Sequence, residues 1–237
     1  MNAVLVLILV SILVSTGIAQ VFIPKVAKAA PHRSLGHRVL VVAPATGPSP
    51  RTLRAAERLA RSAGGVVDVV IPHGDPAPTE AALRALEREV YRSGFDGEVT
   101  VGIGRDAADS VGIEARRRHA SIVVVDPAAG IEHPLVAEIA AQLRVPLVVL
   151  HGGGIGRMLH VRLVGNGAVD GTDAAAELAQ RLSRGDLRHV DGPDGAEPGA
   201  LTIVRARSAD DLARTPTGHE NSLLAWVIEP DAATATR

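Results

Sequence analysis

The chain has 237 residues, of which 46% are hydrophobic and only 2% aromatic, and its formal net charge is −1 at neutral pH. A charge this balanced argues against a general nucleic-acid binder, and four aromatic residues are too few for base-stacking platforms. There is no cysteine, which excludes disulfides and thiolate chemistry and is consistent with a reducing cytosol.

The first predicted element is a membrane anchor over residues 1–24. Residues 3–23 carry no charge, and as a helix they would be about 31 Å long, close to the roughly 30 Å hydrocarbon core of a bilayer. Residues 24–65 then hold eight lysines or arginines, including Lys25 and Lys28, against one acid. By the positive-inside rule we expect a single-pass protein of the cell membrane, with its N-terminus outside and its soluble part in the cytoplasm.

Two other interpretations of this segment are a cleaved signal peptide and a buried helix. Ala27-Lys28-Ala29 resembles a cleavage site, but the segment has no basic start and exceeds the usual ~7–15 apolar residues. Because the segment is apolar on every face, the anchor is favoured over both. A row of small residues would let such a helix pack closely against another: Ser11, Ser15 and Ala19.

After a juxtamembrane linker over residues 25–37, strand and helix patterns alternate. Continuous apolar runs predict buried strands at 38–43, 66–71, 98–103, 121–125 and 146–150. Helices are predicted between them at 50–63, 78–92, 106–119 and 133–143, the first with Ser49 as its N-cap. Strands separated by such helices need crossover connections, so we expect an α/β fold with a doubly wound parallel sheet over residues 38–151.

Residues 160–230 repeat this order in a shortened form, which predicts a second, smaller α/β domain followed by a tail at 231–237. Its predicted helix covers 173–182, its strands begin at 160 and cover 187–190, 201–204 and 223–228, and Ser208 would cap a short helix. Residues 152–159 contain Gly152-Gly-Gly-Ile-Gly156, but no helix and no Lys-Ser/Thr follow. We therefore interpret them as a Gly-rich hinge and not as a phosphate loop.

The stretch from Val101 to Asp126 resembles the third strand, third helix and fourth strand of universal stress proteins. Ala120-Ser-Ile-Val-Val-Val-Asp126 stands where that family has A-D-L-I-V-M-G, and Arg144-Val-Pro-Leu-Val-Val-Leu150 resembles its closing C-P-V-L-V-V. The likeness covers residues 38–151, and tandem copies occur in the family. A membrane helix followed by two such domains also resembles the cytoplasmic tail of cation/proton antiporters.

The resemblance implies a ligand site at the carboxyl edge of the sheet, yet the family's ATP motif is missing. ATP-binding members carry G-x2-G-x9-G-[ST] after the fourth strand, where this chain has Asp126-Pro-Ala-Ala-Gly-Ile-Glu-His133. Because Asp126 and Glu132 would repel a polyphosphate, we expect no ATP and no other cofactor. For any other small ligand, the candidate contacts at this edge are Thr46, His73, Arg105, Asp126, Gly130 and His133.

No residue pattern indicates an enzyme. The nine histidines show no metal-ligand spacing, so no metal site is predicted. His73, His133 and His151 lie near predicted strand ends, where we expect satisfied or solvated side chains along one edge of the sheet. Serine, histidine and aspartate are all present, but the Gly-x-Ser-x-Gly elbow of a hydrolase is not.

A basic stripe is predicted along the first helix, from arginines spaced i, i+3, i+7 and i+10: Arg51, Arg54, Arg58 and Arg61. It is either a solvated face or, with Lys25 and Lys28, a surface for anionic lipid headgroups. The combined expectation is a non-catalytic, membrane-tethered accessory or regulatory subunit of a membrane complex such as a transporter. Its partner would be a membrane protein or a second copy, and not nucleic acid. The alternative is a cytoplasmic-facing nucleotide or small-ligand sensor.

Overall fold

The computed structural model describes part of the chain, namely residues 35–74, 78–92, 94, 97–153, 160–164, 173–183, 186–191, 199–206, 208, 211 and 223–230. The predicted anchor, nearly all of the linker, most of the Gly-rich hinge, the short helix after Ser208 and the tail lie outside the described residues. In the part that is described, no helix has both the length and the apolar character needed to cross a bilayer.

The order of strands and helices is the predicted one, and their ends differ from the prediction by at most two residues. The strands are β1 Arg38–Val42, β2 Val66–Ile71, β3 Val99–Val101, β4 Ile122–Val125, β5 Leu147–Gly152, β6 His160–Val164, β7 Leu187–Val190, β8 Ala200–Ala206 and β9 Leu223–Ile228. The helices are α1 Pro50–Ser62, α2 Glu80–Arg92, α3 Ala107–Arg117, α4 His133–Gln142 and α5 Ala174–Ser183. A 3₁₀ turn at Pro127–Ala129, which was not predicted, follows β4.

All of these strands belong to one sheet, in the order β3-β2-β1-β4-β5-β9-β8-β6-β7. The first five strands are parallel to one another, which confirms the predicted parallel sheet, and β6 to β9 are parallel to one another as well. The two sets meet at an antiparallel pair, β5 with β9, from Leu147 opposite Ile228 to Gly152 opposite Leu223. This seam was not predicted.

The strands of the second half repeat the order of those of the first half on the other side of the seam. By their order in the sheet, β6, β7, β8 and β9 correspond to β1, β2, β4 and β5, and within the described residues no strand corresponds to β3. Because β5 and β9 run in opposite directions, the carboxyl ends of the two sets of parallel strands lie at opposite edges of the sheet.

Apolar residues that alternate along the strands form two cores, one on each face of the sheet. Val39 and Val41 face the core that includes α1 and α5, whereas Leu40 and Val42 face the core that includes α3 and α4. Strands covered on both faces carry continuous apolar runs, as in Ile122–Val125, which is fully buried. The two faces thus explain why these strands were recognisable as uninterrupted hydrophobic segments.

A buried ion network that was not predicted ties α3 to the sheet. Arg118, just after α3, lies 3.1 Å from the carboxylate of Glu114, 3.3 Å from that of Asp68 and 3.0 Å from that of Glu98. Asp68 also accepts a hydrogen bond from the Glu98 N–H at 3.0 Å. Arg118, Asp68 and Glu114 are all buried, so the network is a structural cross-link between helix and strands.

Candidate functional site at the carboxyl edge of the sheet

The first turn of α1 lies at the carboxyl ends of β1 and β4. After β1 the chain turns through Gly47, whose N–H donates to the Pro44 carbonyl and whose φ of 97° suits glycine. Ser49 then caps α1, since its hydroxyl accepts the Thr52 N–H at 3.1 Å, and Pro50 occupies the first helical position. A helix N-terminus at this place favours an anion, because the positive end of the helix dipole lies there.

The anion at this helix end is the chain's own carboxylate, that of Asp126. The side chain follows β4 directly and is 1% exposed. It accepts hydrogen bonds from the Thr52 hydroxyl at 2.8 Å, the Ser49 hydroxyl at 3.2 Å and the Ala128 N–H at 3.1 Å. Arg51 adds a two-pronged ion pair, with Nε 3.0 Å from Oδ2 and Nη2 on Oδ1. The carboxylate is therefore held on both oxygens by protein donors.

Arg51 extends this contact to the next strand. Its Nη1 donates to the carbonyl of Gly152 at the end of β5, so one side chain joins α1, β4 and β5. The side chain is only 16% exposed, and the prediction that Arg51 faces lipid headgroups is wrong. Of the other stripe residues, Arg54 and Arg61 are exposed and Arg58 is partly buried. Helical spacing placed the four arginines near one another but did not reveal the neighbouring strand ends that cover the first turn.

The second half has the same arrangement with the charges exchanged. Here the acid, Asp173, stands at the start of α5, and its carboxylate accepts the Ala176 N–H at 3.1 Å and pairs with Arg205 near the end of β8. Glu229, just after β9, accepts the Ala174 N–H at 2.8 Å. In both halves, therefore, a carboxylate of the chain itself lies at the start of a helix at the carboxyl edge, held in the first half by side chains of α1 and in the second half by N–H groups of α5.

Two histidines lie beside the Asp126 ion pair. His133 is the first residue of α4 and His151 is in β5, and their ring centroids are 5.9 Å apart. Burial is the main cause that lowers the pKa of His151 from 6.5, and the nearby His133 lowers it further. The pair thus disfavours protonation of His151, while the carboxylate of Asp126 opposes this effect.

The structure brings together only some of the predicted ligand contacts. Asp126 and Gly130 bound the 3₁₀ turn, which Gly130 closes with a φ of 105°, and His133 begins the helix that follows. Thr46, His73 and Arg105 are exposed, and none of the contacts described for Asp126 involves them. Arg105 pairs instead with Asp109 at 3.4 Å. Among the residues that the structure describes, no three His, Asp or Glu side chains are placed to hold a metal.

The residues that sequence reasoning missed are the partners of Asp126, namely Ser49, Arg51 and Thr52. One signal could have found them. An acid that directly follows a strand buried on both faces is itself at risk of burial, and a buried carboxylate needs a cation and hydrogen-bond donors. The first turn of the helix after β1 is the nearest predicted source of both.

No protein-family model and no curated protein matches the chain. A protein of unknown function from Pseudomonas aeruginosa PAO1 has a similar structure, with a TM-score of 0.56 and 11% identity over 88% of this chain and 97% of that one. A protein from Pseudomonas aeruginosa UCBPP-PA14 that is named as a universal stress protein gives a TM-score of 0.52 at 12% identity, over 87% and 99% of the two chains. A universal stress protein in complex with cAMP matches 50% of this chain and 98% of its own, with 18% identity and a TM-score of 0.39. At such identities the likeness establishes the fold alone, and this chain has the fold of universal stress proteins.

Proposed function

We propose that this protein is a non-catalytic regulatory subunit of a membrane complex, tethered by residues 3–23, and that it acts through protein contacts without a bound nucleotide. The observation that carries the proposal is the place of Asp126. Its carboxylate lies beside the first turn of α1, at the start of the segment that stands in place of the family's glycine-rich phosphate loop, and protein donors already hold both of its oxygens.

A polyphosphate at the first turn of α1 would either displace Asp126 or lie against it. Displacement would break the buried ion pair with Arg51 and leave a carboxylate that is 1% exposed without its partner. Approach without displacement would set like charges together in a site of reduced dielectric. Asp126 would therefore oppose a phosphate here both by its charge and by its engagement of the donors on Ser49, Arg51 and Thr52.

The second half supports the same conclusion independently. Asp173 and Glu229 both accept N–H groups at the start of α5, and Arg205 pairs with Asp173. The ion pairs Arg51–Asp126 and Arg205–Asp173 hold the starts of α1 and α5 against neighbouring strand ends, and so favour one fixed arrangement of the surface there. The uncharged segment 3–23 would place this surface at the membrane, and the antiporter-like layout makes a transporter the first candidate for the partner.

Basic residues would orient the domain on the inner leaflet. Arg54 and Arg61 remain exposed on α1, and Lys25 and Lys28 follow the proposed anchor directly. Each basic residue near an anionic surface contributes about 1 kcal/mol of attraction. The proposed partners are therefore a membrane protein or a second copy, together with anionic headgroups. The competing function, a sensor of nucleotides or other small ligands, requires the Asp126 position to open.

The small-residue row offers a test of the tether and the complex together. We expect the tagged full-length chain to resist carbonate extraction from its native membranes and to migrate, in mild detergent, in a complex larger than one chain. Changing Ser11, Ser15 and Ala19 to leucine should leave the chain in the membrane but reduce the co-purified partner about tenfold, which corresponds to about 1.4 kcal/mol of helix association. Native electrophoresis with mass spectrometry of the shifted band measures this loss.

The matched control changes Gly17 to leucine, because a helix would place this residue on the side away from the row. This variant should keep the complex. Extraction of the parent by carbonate would contradict the tether. A parent that migrates as a single chain, or a triple variant that retains its partner in full, would contradict the proposed packing through the row.

A further inference from the structure

We propose that the His133–His151 pair makes the carboxyl edge of the first half acid-sensitive, so that protonation releases the first turn of α4 from the end of β5. The inference rests on the positions of these side chains and is independent of the membrane partner proposed above. It assigns a regulatory role to two histidines that have no part in the function proposed above.

Among the residues that the structure describes, those around the pair offer little free negative charge. His151 faces His133 from α4 across 5.9 Å between ring centroids. From α1 the charged neighbour is Arg51, and from the end of β4 it is Asp126, which is already paired with Arg51. On the β9 side the residue opposite His151 is Leu224, which carries no charge.

His133 stands in positive surroundings of its own. It is the first residue of α4, at the positive end of the helix dipole. Glu132 precedes it, is exposed and makes no capping hydrogen bond with its side chain, so water screens its charge. A proton on His151 would thus place a cation beside Arg51 and near the positive end of α4, with one carboxylate that is already engaged.

The state of His151 gives the direction of the pH effect. Its Nε2 is buried and has no hydrogen-bond partner among the described residues, and burial lowers its pKa from 6.5. A form in which His151 reaches water therefore binds a proton more readily than the closed form does. The closed edge is fully favoured above about pH 6.5, and its advantage is lost as the pH falls from there towards the lowered pKa.

Opening at this point would reach the Asp126 ion pair. His151 is followed by Gly152, whose carbonyl accepts the Arg51 hydrogen bond, and the 3₁₀ turn at Pro127–Ala129 connects Asp126 to the loop before His133. A shift of α4 away from β5 therefore loosens the segment that holds the carboxyl edge closed. A fall in pH would thus expose the end of β5.

Hydrogen exchange of the full-length chain in detergent micelles tests this device. At pH 5.5 compared with pH 7.5, and after correction for intrinsic exchange, we expect amides of residues 133–139 and 148–152 to exchange at least about fivefold faster, while those of α3 stay unchanged. His151→Gln removes the charge change and should abolish the increase. His189→Gln is the matched control, because His189 is exposed on β7 in the other half, and it should behave like the parent.

The inference would be overturned by no acceleration in the parent at pH 5.5, or by the same acceleration in His151→Gln as in the parent. Should circular dichroism show that His151→Gln is unfolded at pH 7.5, His133→Gln provides the second variant, since that side chain is exposed. It leaves one histidine of the pair and should reduce the acceleration at least twofold. An undiminished acceleration in His133→Gln would contradict a coupled pair.

Discussion

Replacing Asp126 with alanine is expected to lower the free energy of unfolding by about 3–5 kcal/mol, because one partner of a buried ion pair is removed. The variant leaves the Arg51 guanidinium, only 16% exposed, without its carboxylate. It also leaves the Ala128 N–H and the hydroxyls of Ser49 and Thr52 without this acceptor. Guanidinium titration of the full-length chain in micelles measures the loss, with the fluorescence of the one tryptophan, buried Trp226, as the signal.

A double-mutant cycle separates the ion pair from general damage. Arg51→Met combined with Asp126→Ala should cost less than the sum of the single changes, by an interaction energy of about 1–3 kcal/mol. Glu80→Ala is the matched control, since Glu80 pairs with Arg84 on the surface of α2 and its removal should cost under about 1 kcal/mol. If Asp126→Ala is as mild as Glu80→Ala, the ion pair does not hold the edge closed.

The second large effect is expected at the opposite end of the first half, where Arg118→Met should also cost about 3–5 kcal/mol. Arg118 is the cation that lies between the buried carboxylates of Asp68 and Glu114, at 3.3 and 3.1 Å. Methionine keeps much of the side-chain volume but leaves both acids without this cation in the interior. The same guanidinium titration measures the change.

Arg117 supplies the control for this variant from the adjacent position. It approaches Glu114 at 3.4 Å, but its side chain is 59% exposed, so Arg117→Met should cost under about 1 kcal/mol. Equal losses in the two variants would mean that the arginines act by general charge and not through the buried contacts. A mild Arg118→Met would contradict the description of the network as a cross-link.

The elements of the fold were predictable because their signals are local. Runs such as Ile122–Val125 and helix ends such as Ser49-Pro50 need no knowledge of the rest of the chain. The seam between β5 and β9 has no such signal. Both are short apolar strands, and the sequence around each is compatible with an edge or with a central place in the sheet, so only the assembled sheet shows that they pair antiparallel.

The site was predictable in place but not in detail. Asp126 is a predicted site residue because it begins the segment that stands in place of the family's glycine-rich loop, and it does lie at the carboxyl edge. Its partner Arg51 was instead predicted to belong to a lipid-facing stripe. The spacing of Arg51 to Arg61 describes one side of a helix and carries no information on what covers the first turn of that helix. The reversed pair of Asp173 and Arg205 has 31 residues between its members, many with no strand or helix pattern, and no local rule connects them.

Isothermal titration calorimetry of the full-length chain with ATP tests the central claim, that Asp126 takes the place of a nucleotide phosphate. The account predicts no saturable heat up to about 1 mM ATP, which corresponds to a binding free energy weaker than roughly −4 kcal/mol. A micromolar dissociation constant would contradict it, and the loss of that binding in Arg51→Met would show that Arg51 holds phosphate instead of the carboxylate of Asp126.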